Sequence, residues 1–336
     1  MHLKLPNLFK IIISQATLFK ADWRTRLRMF FIWPYALVPI LAILLIVFQI
    51  QPEKIIRSKG IVESATTSAK TKNNADFTTL PKLKADFSPV NGIGAKSFLI
   101  YDSDSGKVLA SHNADLPLPI ASLTKLTTAL LVARNLSPEQ EITVNRVWTE
   151  NLPQPVINFY EGEVLTVRSL TEAMLVASAN DATQILAYSI GGSLDNTVQQ
   201  MNDLAKSLTL KSTFYTNPTG LDQGRAYSTA GDLLIVVQEV QRNPWLMNIL
   251  SETTGRISSI DGLYNHSFRT TNRLLRSGTD YITGGKTGYT ENALGSLVVF
   301  ANSPSNTRLI GIILGSVNRE AEMAELMNWV FNSYNW

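Results

Sequence analysis

Twenty consecutive residues, Met29 to Phe48 (MFFIWPYALVPILAILLIVF), carry no charge, and this run constrains the chain more than any other feature. At about 1.5 Å per residue, a helix of that length spans about 30 Å, the thickness of a bilayer's hydrocarbon core. Pro34 and Pro39 would disrupt a soluble helix interior, but a membrane helix tolerates them, and Trp33 and Tyr35 suit an interfacial belt. The run predicts one transmembrane helix over residues 29–50, not a buried core helix. A cleaved signal peptide competes with this reading, but the run exceeds the usual apolar stretch of about 7 to 15 residues. Gln49-Ile50-Gln51 also offers no small-residue cleavage site, so the reading is an uncleaved signal anchor.

The charge balance supports an orientation. The chain holds 30 Lys+Arg and 27 Asp+Glu, a formal +3. Residues 1–28 contain six basic residues against Asp22 alone, a net of +5, which leaves −2 for the remaining residues. A basic tail ahead of the span predicts a cytoplasmic N-terminus, a single-pass inner-membrane protein and an extracytoplasmic domain. The near-neutral remainder argues against a nucleic-acid partner. The segment LFKIIISQATLFK within the tail fits either a basic amphipathic helix on the inner leaflet or a solvated tail.

From residue 51 to 87, Lys, Thr, Ser, Ala, Asn and Asp dominate and apolar periodicity is nearly absent, which reads as a flexible linker. Its relaxed span of roughly 35 Å would hold a domain off the membrane. Residues 88–336 are then ample for one hydrophobic core.

Within that domain, SFLIY (97–101) and KVLA (107–110) flank the turn cluster Asp102-Ser-Asp-Ser-Gly106, which predicts a hairpin. GSLVVFA (295–301) and RLIGIIL (308–314) surround the breaker NSPSN, and Met323, Leu326, Met327, Val330 and Phe331 then recur at helical spacing. The middle reads helical. Ser169-x-x-Glu172 predicts a capping box before Leu170, Ala173, Met174 and Ala177, and Val198, Met201, Leu204, Ala205 and Leu208 form another apolar face. The expected fold is α/β (α+β): an antiparallel sheet built from the two ends of the domain, flanked by helices, with a helical subdomain inserted between them.

The sequence has no Cys and only three His, namely His2, His112 and His266. A thiol nucleophile, a disulfide framework and Cys-ligated metal sites are excluded, and a Ser-His-Asp arrangement has few options. Ser122-Leu-Thr-Lys125 is the only S-x-x-K and opens the apolar-patterned helix ASLTKLTTALLVAR. A spacing of i, i+3 puts the hydroxyl beside the amine, where a desolvated lysine can take the serine proton. The helix N-terminus adds backbone N–H groups able to face an oxyanion. Lys286-Thr287-Gly288 is the only K-[ST]-G; a cation and a hydroxyl there can hold a carboxylate, and the glycine leaves room for an extended peptide. A P-loop reading of GGKTG fails, because Asp280 stands where its first glycine belongs. Ser178-Ala179-Asn180 falls between two helical patterns, where a hydroxyl and an amide can enter a cleft or merely cap a helix.

The order S-x-x-K, S-x-N, K-T-G is the set found in class A β-lactamases and penicillin-binding proteins. From about Asn91 to Trp336 the chain resembles the serine D-alanyl-D-alanine carboxypeptidases, the low-molecular-mass penicillin-binding proteins of peptidase family S11. The blocks PIASLTKL, FYEGEVLTVRSLTEAMLVASANDA, NPTGLD with YSTAGDL, and TNRLL with ITGGKTGYT resemble that family's blocks in its order. The resemblance implies a penicillin-binding-protein/β-lactamase-like fold and a hydrolase acting on peptidoglycan stem peptides that end in D-Ala-D-Ala, with β-lactams as inhibitors. It implies Ser122 as nucleophile, Lys125 as its base, Ser178 as proton relay and Asn180 as the group orienting Lys125 or substrate. It further implies Lys286 and Thr287 on the substrate carboxylate, Gly288 making room for the peptide, and the N–H groups of Ser122 and Tyr289 as an oxyanion hole. Neither a cofactor nor a metal is implied.

Thr219, in NPTGLD, stands where many relatives have His, and this variant resembles the endopeptidase branch. Cleavage of cross-links therefore remains an alternative to removal of the terminal D-Ala. A β-lactamase lacks support, since no E-x-x-L-N pattern falls between Ser178 and Lys286. A non-catalytic wall-peptide receptor would need only the binding half of this set.

Overall fold

A computed structural model describes residues 80–336. The basic tail, the 29–50 span and most of the 51–87 linker lie outside the described residues. Among the described residues, no helix is long and apolar enough to cross a membrane.

In chain order the elements begin with strands β1 (Lys82–Leu83), β2 (Ser97–Asp102) and β3 (Lys107–His112). A 3-10 turn, Ala121–Leu123, then feeds helix α1 (Thr124–Asn135). The short strands β4 (Glu141–Thr143) and β5 (Val164–Thr166) bracket a long loop, followed by α2 (Val167–Leu175), α3 (Asn180–Gly191) and α4 (Leu194–Ser207). After α5 (Ala230–Gln241) and α6 (Pro244–Leu250) come the hairpin β6 (Thr254–Ser258) and β7 (Asn265–Arg269), and the short α7 (Arg273–Arg276). The chain closes through β8 (Ile282–Thr290), β9 (Leu294–Asn302), β10 (Arg308–Ser316), α8 (Arg319–Ser333) and β11 (Tyr334–Asn335).

The main sheet has the antiparallel order β3-β2-β10-β9-β8, so strands from the two ends of the domain meet where β2 pairs with β10. The central strands are nearly continuous apolar runs, and because successive side chains point to opposite sides, both faces are apolar. Phe98, Ile100, Leu297, Val299, Leu309 and Ile313 pack with Met323, Leu326, Met327 and Val330 of α8. Leu99, Val298, Phe300, Ile310 and Ile312 face the other way, into the core shared with Leu126 of α1 and Val236 of α5. Each such fully buried side chain contributes about 1.5–3 kcal/mol. Gly311 lets α8 approach: a Cβ there would sit 2.6 Å from the Met327 methyl.

Three local features differ from the sequence expectations. Strand β8 was not anticipated, because ITGGKTGYT lacks apolar alternation; it is the sheet's edge strand, paired only with β9. Helix α2 is capped one turn earlier than the Ser169-x-x-Glu172 box implies. Thr166 is the N-cap, its Oγ1 accepting from Ser169 N at 3.1 Å, because β5 runs straight into the helix and leaves Ser169 in its first turn. Paired backbone also begins ahead of Ser88: β1 pairs with β11 through Lys82–Asn335 and Leu83–Tyr334.

Candidate active site

The S-x-x-K motif occupies a strained turn. Ala121 has φ +48°, a left-handed conformation unusual for alanine, and Ser122 follows it into the 3-10 turn that becomes α1. Strain of this kind costs on the order of 1–3 kcal/mol and persists where surrounding structure over-determines it. Here the clamp comes from two glycines. A Cβ on Gly220 (φ +81°) would fall 1.9 Å from Ala121 O, and one on Gly288 would fall 2.8 Å from Ile120 O and 3.0 Å from Ser122 N. The NPTGLD loop and strand β8 therefore press on the serine turn from two sides. Both contacts exclude a side chain.

Lys125 is fully buried, and its ammonium nitrogen has three partners: Ser122 Oγ at 3.0 Å, Asn180 Oδ1 at 2.8 Å and the Thr219 carbonyl at 2.8 Å. Burial pulls its pKa from 10.5 down to about 7, against the opposing charge of Asp181. A neutral amine keeps donors for Asn180 and Thr219 and turns its lone pair toward the Ser122 hydroxyl. Asn180 Nδ2 donates to Pro153 O at 2.8 Å, which fixes the amide with its oxygen toward Lys125.

Ser178, in the turn between α2 and α3, also has a left-handed backbone (φ +61°), and its Oγ accepts from Lys286 Nζ at 2.7 Å. Lys286, likewise buried, gives a second bond to Thr287 O at 3.0 Å. Burial first, then the charges of Lys125 and Arg319, push Lys286 well below its ordinary value. No salt bridge among the described residues involves either lysine. Asp181, beside Asn180, spends its carboxylate on the backbone N–H groups of Ile157, Asn158 and Ala182. Burial nonetheless raises its pKa. The cleft is thus short of negative charge around two amines, an arrangement that attracts an anion.

The structure brings Ser122, Lys125, Ser178, Asn180 and Lys286 into two hydrogen-bonded groups, and it places Thr287 and Gly288 beside them on β8. Thr287 is buried and shares a hydrogen bond with Thr271 Oγ1 at 2.5 Å. The Tyr289 side chain, 66% exposed, stands at the rim, so any role of Tyr289 in the cleft falls to its backbone. Two contributors and one contact of Thr219 escaped the sequence reading. Thr219 enters through its carbonyl, Thr271 through a contact 16 residues away in sequence, and Arg319 by donating to Gly288 O at 2.7 Å. A backbone acceptor and distant contacts have no local sequence signature. Among the described residues, no group of three or more His, Asp or Glu could hold a metal ion.

These features are accompanied by clear relatives. The D-alanyl-D-alanine carboxypeptidase family model, Peptidase S11, matches residues 84–318. The D-alanyl-D-alanine carboxypeptidase DacA of Haemophilus influenzae is 32% identical over 253 residues, which cover 72% of this chain and 63% of that protein. A D-alanyl-D-alanine endopeptidase of Pseudomonas aeruginosa is 30% identical over 254 residues, 74% of this chain and 81% of that protein. The crystal structure of a D-alanyl-D-alanine carboxypeptidase from Mycobacterium tuberculosis superposes with a TM-score of 0.68 at 28% identity, covering 75% of this chain and 96% of that one. On the family match and the fold together, this chain is a member of the D-alanyl-D-alanine carboxypeptidase family, peptidase family S11.

Proposed function

We propose that the protein is a membrane-anchored serine D,D-carboxypeptidase that removes the terminal D-Ala from peptidoglycan stem peptides on the outer side of the bacterial inner membrane. The observation that carries the reading is Lys125, fully buried, held near neutrality and 3.0 Å from Ser122 Oγ. Lys125 takes the Ser122 proton as Oγ attacks the carbonyl of the last peptide bond, and the N–H groups of Ser122 and Tyr289 hold the oxyanion. Collapse of that intermediate breaks the C–N bond, and the proton taken up by Lys125 passes to the leaving amine through the Ser178 hydroxyl, which Lys286 holds in place, so that Lys125 is neutral again. Water then attacks the Ser122 ester with Lys125 again as base, freeing the shortened peptide. Lys286, Thr287 and the nearby Arg319 give the substrate's terminal carboxylate its cationic seat. A β-lactam enters by the same attack and stays as a long-lived ester.

The anchor, the cytoplasmic N-terminus and the extracytoplasmic position rest on the 29–50 run and the basic tail. The part of the 51–87 stretch that precedes β1 would give the domain its reach. Cross-link cleavage is the second reading, favoured by Thr219 and by the likeness to the Pseudomonas endopeptidase. The test uses the full chain with a peptide ending in D-Ala-D-Ala, with cross-linked sacculi, and with a penicillin whose attachment is mapped by mass spectrometry. D-alanine release with the adduct on Ser122 supports the carboxypeptidase, whereas loss of cross-linked dimers without D-alanine release supports the endopeptidase. Absence of both products, with Ser122→Ala still labelled by penicillin, refutes the D,D-peptidase reading.

A further inference from the structure

A cleft of about 400 Å³ adjoins the serine turn and takes no part in the chemistry above. Ile120, Ala121 and Thr124, the loop carrying Asp222 and Arg225, and Asn292 line it. Its place relative to the reaction follows from the polarity of a peptide lying on β8. With the carboxylate at Lys286 and Thr287 and the scissile carbonyl between the N–H groups of Ser122 and Tyr289, the acyl part runs on past Tyr289 toward Thr290. An extended chain advances about 3.3 Å per residue, so two or three residues reach the β8–β9 turn, where Asn292 marks the cleft.

The charges in the cleft select what can bind there. Asp222 is already engaged: Oδ1 accepts from Thr290 Oγ1 at 2.8 Å and Oδ2 from Asn292 N at 3.3 Å, which ties the loop to the turn. Arg225 is the only cation in the lining. It is exposed, and no hydrogen bond or ion pair among the described residues involves it. A free guanidinium beside an occupied carboxylate favours an anionic group, with the two-pronged geometry that suits a carboxylate.

We propose that this cleft is the acyl-side subsite, in which Arg225 pairs with a carboxylate carried two or three residues before the scissile bond of the donor peptide. The proposal rests on the D,D-peptidase reading of the Ser122 site. The experiment compares two synthetic peptides that share a D-Ala-D-Ala end and differ only in a free carboxylate or its amide at that upstream residue. D-alanine release by the full chain is followed at low and at high salt. The wild type should favour the free carboxylate by about fivefold in kcat/KM, the effect of one partly screened ion pair, and the preference should shrink with salt. R225K should keep the preference, R225Q should bring the ratio near one, and R225E should invert it. Equal turnover of the two peptides by the wild type, or an unchanged preference in R225Q, overturns the subsite and leaves the peptidase standing. Release from neither peptide overturns the carboxypeptidase reading and the subsite with it.

Discussion

Acylation of Ser122 should switch on as Lys125 loses its proton, and the size of the effect follows from its burial. Lowering an amine from 10.5 to about 7 means that the folded protein disfavours the ammonium by about 5 kcal/mol. At pH 7.5 about three-quarters of the Lys125 side chains are then neutral, against about 0.1% for an exposed lysine, a gain of several hundredfold in available base. The perturbation is pH itself, and the assay is the second-order rate of fluorescent-penicillin attachment to the full chain between pH 5 and 10. The rate should climb about tenfold per pH unit below 7 and level off above it, while Lys125→Arg, which keeps its charge, should lose activity by at least 10²-fold at every pH. Stability carries the same signature with a definite sign. Between 7 and 10.5 the unfolded chain binds a proton that folded Lys125 does not, so this group makes the protein more stable as pH rises through that window. A rate that is flat from pH 5 to 9, or a midpoint near 10, refutes Lys125 as the activating base.

Three further outcomes follow. Gly220→Ala would force a Cβ to within 1.9 Å of Ala121 O at a φ of +81°, so it should lower unfolding free energy by about 3 kcal/mol or more and abolish penicillin labelling. A melting temperature matching the wild type would contradict that clash. Asn180→Ala leaves Lys125 Nζ and Pro153 O each short of a partner, and should cost about 1–3 kcal/mol per orphaned group in denaturant unfolding while slowing acylation by roughly 10²-fold. Unchanged acylation in a folded variant would remove Asn180 from the site. Because Lys286 is held well below its ordinary value by burial and by two neighbouring cations, a bound carboxylate should raise that value again, and binding should take up a proton in the pH range between the free and bound values. Calorimetry of a carboxylate-ended peptide with Ser122→Ala, repeated in buffers of different ionisation enthalpy, reads that proton directly; a buffer-independent heat would refute it.

What the sequence makes legible here follows physical lines. Strands β9 and β10 are readable because each is a short, nearly continuous apolar run bounded by turn residues, and α8 is readable because its apolar residues keep helical spacing. Ser122 and Lys125 are readable because both sit within one helical turn. Strand β8 is not, since Gly284, Gly285 and Gly288 carry no side chain to record which face is buried; its glycines record close approach instead. At Gly284 a Cβ would meet Leu250 O at 3.0 Å, and at Gly285 Val298 O at 2.3 Å. The cap of α2 is misread locally because Ser169-x-x-Glu172 matches the capping-box pattern whereas Thr166-x-x-Ser169 does not, and it is the pairing of β5 with β4 that ends the strand at Thr166 and makes it the cap. Thr219 reads as a variant of the family block, yet its contact with Lys125 runs through a carbonyl that every residue type possesses.

That last contact bears on how the site tolerates its own composition. Two buried amines near each other repel, and a solvated protein would separate them or supply acids. Here the sheet edge brings Lys286, the α1 turn brings Lys125, and the α2–α3 turn inserts Ser178 and Asn180 between them. The acceptors offered are an amide oxygen, two hydroxyls and two carbonyls, all neutral. Neutral acceptors satisfy an uncharged amine as well as a charged one, so they hold the geometry without restoring the ordinary pKa. A carboxylate in the place of the Thr219 carbonyl or Asn180 would stabilise the fold and remove the base. Burial without a paired acid both lowers Lys125 and leaves the cleft open to an anion, so under the proposed function activation of the nucleophile and selection of a carboxylate-ended substrate would arise from one electrostatic cause.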